Sequence, residues 1–75
     1  MGRLTRPAGK ELLTFLRRQG FVVVRIHGSH HFLERGDVRT CLPAHGGETL
    51  KIGTLRSILR DIEMSPQDFE RLWTE

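Results

Sequence analysis

The sequence predicts an α+β domain: one helix, a three-stranded antiparallel meander, then a second helix and a short extra one. Three observations carry this. Apolar residues recur at helical spacing in two blocks, Leu12-Phe15-Leu16 and Leu55-Ile58-Leu59-Ile62. Between the blocks lies an apolar, β-branched run, Phe21-Val22-Val23-Val24. Two Gly-led dipeptides, Gly28-Ser29 and Gly36-Asp37, then punctuate the chain as tight hairpin turns do.

Residues 1–8 are polar, contain Pro7, and are expected to form an N-terminal arm. The first helix should run from Gly9 to Gln19, with Leu13 widening its apolar stripe. Arg17 and Arg18 fall in its last turn, where cations suit the negative end of the dipole. Gly20 follows as the C′ residue that stops it. Strand one covers Phe21 to His27. Gly28 at the first central position of a two-residue loop fits a type II′ turn, so strand two opens at His30 and runs to Arg35. Strand three spans Val38 to Pro43, and Pro43, with no N–H to donate, should end it or lie on an edge.

A loop from Ala44 to Gly53 holds His45, Gly46, Gly47 and Lys51. Thr54 is expected to N-cap the second helix. Ser65-Pro66 reads as N-cap then N1, with Asp68 third in a short helix whose apolar face is Phe69, Leu72 and Trp73. The first two helices should share one face of the sheet, which leaves the opposite face or the rim for function. The order α-β-β-β-α is also that of the double-stranded RNA-binding fold, whose relatives read shape and phosphate. Order alone is a weak warrant for function.

Seventy-five residues make one domain, 1–75, too small for a second domain or a large cofactor cavity; a chain of this size buries only about 60% of the surface it exposes unfolded. A single cysteine points to a reducing compartment. No apolar run approaches a membrane span, and the N-terminus lacks a signal-peptide core, so a soluble, cytoplasmic protein is expected. Twelve Lys and Arg against nine Asp and Glu give a charge of +3. All but Arg3 are spread through the elements rather than packed into the extreme end, a balance suited to nucleic acid or an acidic protein.

Four histidines stand out, three of them near strand ends. His30 and His31 directly follow the Gly28-Ser29 turn, where an imidazole is reachable and can move protons near neutrality. Being adjacent on a strand they face opposite ways, and only one can serve a given site. Alternation does not say which, because Phe32 and Leu33 are both apolar. Cys41 and His45 are four apart and could join one of the pair on a metal, yet structural zinc needs four ligands at tighter spacings. No metal or cofactor is therefore expected, and Cys41 should be a small buried hydrophobe. There is no Walker motif, paired carboxylate or Gly-x-Ser-x-Gly. Gly46-Gly47 near Lys51 could hold a phosphate or simply form a flexible loop. Arg56 and Arg60, at i and i+4 of the second helix, could line a basic face or simply be solvated.

These fragments together resemble the HicA-type toxins of bacterial toxin–antitoxin pairs. The matching pieces are Gly20-Phe21, Gly28-Ser29-His30-His31, Pro43-Ala44-His45, and Gly53-Thr54-Leu55-Arg56-Ser57-Ile58-Leu59, within residues 9 to 72. The resemblance implies a double-stranded RNA-binding-like fold and an mRNA interferase, an endoribonuclease that cuts messenger RNA and halts translation. It also implies a HicB-type antitoxin covering the active face, in a heteromeric complex or beside a free monomer. The family's single catalytic histidine follows the Gly-Ser pair and carries over to His30, with His31 as fallback. His27 stands where the family has a lysine before the glycine. On this reading His30 takes a proton from the ribose 2′-OH without metal. Backbone N–H groups of Gly28 and Ser29, with Arg25, Lys51 and Arg56, hold the RNA. With one histidine placed, turnover is expected to be slow.

Overall fold

The computed structural model describes residues 5–44 and 47–74. The elements run α1 (Gly9–Arg18), β1 (Val22–His27), β2 (His30–Arg35), β3 (Val38–Pro43), α2 (Ile52–Asp61) and α3 (Pro66–Trp73). The described strands form an antiparallel sheet in the order β1-β2-β3. Pro43 does both things expected of it, ending β3 and lying on an edge strand. Gly28 has φ +64 while Ser29 keeps a negative φ, the pattern of a II′ rather than a I′ turn. No atom lies within 4 Å of where a Gly28 side chain would begin, so the backbone angle alone demands glycine there.

Alternation sorts the sheet into two faces. Leu33, Thr40 and Leu42 are buried and meet the helices, with Val23 and His31 half-buried beside them. The other face carries His30, Phe32 and Glu34 of β2 and Arg39, Cys41 and Pro43 of β3. The Thr40 hydroxyl donates to Asp61 Oδ2 at 3.0 Å, which satisfies this buried polar group and pins α2 to β3. Cys41 is half-buried on the open face, paired with Phe32, and not a core residue as expected. The reason is parity: Thr40 and Leu42 take the inward positions of β3.

The core joins Leu12, Phe15 and Leu16 of α1, Leu55, Ile58, Leu59 and Ile62 of the α2 region, and Phe69 of α3 against Leu33 and Leu42. Gly20 and Phe21 close α1 through N–H bonds to the Arg17 and Leu16 carbonyls, a Schellman motif. Arg35 holds this corner from β2, donating to the Gln19 carbonyl at 2.7 Å with its guanidinium 4.5 Å from the Phe21 ring centre. α2 ends in the same motif, but its left-handed C′ residue is Glu63 (φ +59). Replacing Glu63 with glycine should therefore raise stability by about 0.5–1 kcal/mol, read as a higher urea midpoint with unchanged slope.

α2 begins earlier than expected. Its N-cap is Lys51, and Thr54 lies inside the first turn. Tertiary contacts set this start: Leu50 N donates to the Pro7 carbonyl, Thr49 bridges Ala8, and Leu50 is buried. Leu50 and Leu55 then occupy N′ and N4, the hydrophobic-staple positions, in place of a side-chain cap. Ser65 caps α3 as expected, its Oγ accepting from Asp68 N at 3.0 Å.

Of the expected arm, residues 1–4 lie outside the described residues. Thr5 donates through its hydroxyl to Glu70 Oε1 at 2.7 Å and through its N–H to Oε2, which ties this end to α3. A side chain at Gly9 would run into the Pro43 carbonyl oxygen and lie 2.9 Å from Ala44 Cα. The start of α1 thus packs directly on the end of β3. Gly9→Ala should cost about 1–3 kcal/mol in urea unfolding, because backbone must move to make room.

Candidate functional site

The hairpin end of the open face gathers Arg25, Gly28, Ser29 and His30 of the sequence-predicted residues. His27 and His30 flank the Gly28-Ser29 turn as a register pair, and Pro43 completes the row beyond His30. The next row is Arg25, Phe32 and Cys41, and after it Glu34 and Arg39. Residues directly opposite on neighbouring strands share a face, so these side chains form one surface. The Arg25 guanidinium lies 4.4 Å from the Phe32 ring centre, a cation–π contact that holds the charge flat on the sheet. The exposed Arg39 pairs with the half-buried Glu34 at 3.5 Å.

A β-bulge makes this arrangement possible. Phe21 is buried and Val23 pairs with Leu33 toward the helices, so plain alternation would turn Arg25 and His27 inward as well. The register slips between Val23 and Arg25, leaving Val24 as the extra residue. Arg25 and His27 thereby join the open face. Alternation read along the sequence does not locate such a slip.

His30 and His31 separate as adjacent strand residues must. His30 is exposed on the open face. His31 is half-buried on the helix side, in a groove of about 490 Å³ whose lining includes Leu13, Arg17, Phe21 and Ile26. Its Nδ1 donates to the Ser29 carbonyl at 3.3 Å. That same carbonyl accepts from Ala44 N at 2.8 Å, which pins the turn to the end of β3.

Lys51 is exposed at the start of α2 and shares a shallow groove of about 330 Å³ with Pro43 and Thr54. It therefore borders the His30 row. Arg56 is exposed on α2, in the helical layer on the opposite side of the sheet, and no contact brings it to His30. His45 and Gly46 lie outside the described residues, and with them the Cys41–His45 metal pairing and the Gly46-Gly47 phosphate loop. Among the described residues no three His, Cys, Asp or Glu side chains are grouped to hold a metal. No helix among them is long and apolar enough to cross a membrane.

A family model described as the HicA toxin of bacterial toxin–antitoxin systems matches residues 9–64, three quarters of the chain. The chain belongs to the HicA toxin family. No curated protein matches it. The HicA match begins at the Gly9 contact with β3, includes the Gly28–His31 turn, and stops just after α2. Helix α3 falls outside it although Phe69 is wholly buried. Membership of a toxin–antitoxin family makes this HicA chain a toxin and implies an antitoxin partner.

Proposed function

We propose that this HicA protein is an mRNA interferase, a metal-independent endoribonuclease that is neutralised by a HicB-type antitoxin covering the open face of the sheet. The observation that carries the reading is an exposed imidazole, His30, one row from a guanidinium laid on an aromatic ring. Single-stranded RNA is commonly held by aromatic and Arg planes on which bases stack, with cations along the phosphates. Phe32 and Arg25 supply the former; Arg25 supplies charge one row from His30, and Lys51 supplies it beside Pro43.

RNA brings its own nucleophile. His30 removes the 2′-OH proton as O2′ bonds to phosphorus; as the P–O5′ bond breaks, O5′ takes up a proton, leaving a 2′,3′-cyclic phosphate and a 5′-hydroxyl end. Proton transfer of this kind contributes typically about 10²–10⁴-fold. The N–H groups at Gly28-Ser29 and the nearby cations stabilise the charge that grows on the phosphate oxygens. His31 faces the helix side and is the lesser candidate. Arg56 serves RNA only where a strand wraps past the edge of the domain.

The test is cleavage of a long transcript by purified protein in magnesium-free buffer with EDTA. Cutting at an undiminished rate, with cyclic-phosphate ends, is expected. Salt-sensitive binding without cutting would leave a non-catalytic RNA-binding module on the same fold. Cutting that EDTA abolishes would assign the chemistry to a metal.

A further inference from the structure

We infer that His27 is a second catalytic residue, the general acid that protonates the leaving 5′-oxygen while His30 acts as base; the inference rests on the ribonuclease reading above. His27 and His30 are register partners across a two-residue turn, both exposed and both on the open face. Directly paired residues of such a hairpin have Cα atoms about 5.5 Å apart, so two imidazoles can reach opposite sides of one phosphate. The pair is held firmly. Gly28 fixes the turn, and the Ala44 N–H to Ser29 carbonyl bond ties it to β3. The bulge in β1 lets His27 and Arg25 face outward while Val23 still faces the helices.

The reaction balances with these two groups alone. Neutral His30 accepts the 2′-OH proton as the O2′–P bond forms. Protonated His27 gives its proton to O5′ as the P–O5′ bond breaks. The enzyme is left with the protons exchanged between the two rings, and solvent resets it. The charged groups around the pair are Arg25 on the same strand, Glu34 and Arg39 further along the face, and Glu48 and Lys51 across Pro43. Arg25 and Lys51 offset the phosphate charge. Glu34 is engaged by Arg39.

The distinguishing experiment compares two substrates, a long transcript and uridine 3′-(4-nitrophenyl phosphate), whose leaving group departs without a proton. His27→Gln should slow transcript cleavage by about 10²–10³-fold, within the range for general acid catalysis, yet slow the aryl ester no more than a few-fold. His30→Gln should slow both. In a second readout, wild-type transcript cleavage should be bell-shaped in pH. His27→Lys should move its alkaline limb upward, because the residue at 27 sets when the acid is lost. His27→Gln acting equally on both substrates, or on neither, or an alkaline limb that ignores His27→Lys, would overturn the acid role. Wild-type protein that cuts the transcript in those cases leaves the ribonuclease reading standing. Wild-type protein inert toward both substrates removes that reading and the pair together.

Discussion

Replacing His30 with alanine should lower RNA cleavage by about 10²–10⁴-fold and abolish growth arrest, with the thermal midpoint unchanged. The two halves of this expectation have separate causes. The ring is exposed on the face away from the helices, so its loss opens no cavity and strands no buried polar group. The adjacent His31 does not replace it, because that ring points to the other face. His31→Ala should therefore leave much of the activity intact. Full cleavage by the His30 variant would move the chemistry elsewhere, while a matching fall in stability would make the residue structural.

The largest effect on stability should come from Phe69→Ala, at about 3–5 kcal/mol. Phe69 is 0% exposed, meets Phe15 edge to face at 5.4 Å, and stacks obliquely on Trp73 at 5.4 Å. A domain of this length is typically stable by roughly 4–11 kcal/mol, so the loss takes a large part of the total. The urea midpoint should fall by about a quarter or more, and α3 should loosen first in hydrogen exchange. This matters because α3 lies beyond the segment that matches the HicA family, yet it closes the core under α1. An unchanged midpoint would mean that α3 is dispensable.

Much of this was legible in the residues. The two helical stripes, Leu12-Phe15-Leu16 and Leu55-Ile58-Leu59-Ile62, are the buried faces observed. The Gly-led turns appear at both expected places, and Ser65 caps α3. Local physics sufficed there, since each signal acts within one turn of chain. Thr54 misled because its propensity to cap competes with the bridge at Ala8 and Thr49, contacts made across some forty residues of chain. The His27–His30 pairing is implicit in the spacing His27-Gly28-Ser29-His30, because a two-residue turn places its flanking residues face to face.

From the chain alone come the element order, the turn that presents the histidines, and the kinship with HicA toxins. Packing against α1 and α2 settled which imidazole of His30-His31 meets solvent, because Leu33 and Leu42 had to be buried and that choice set the parity of both strands. The bulge at Val24 then brought Arg25 and His27 to the same side as His30. Both outcomes follow from covering one face of a small sheet, a demand that belongs to the whole domain and that no short stretch of residues expresses.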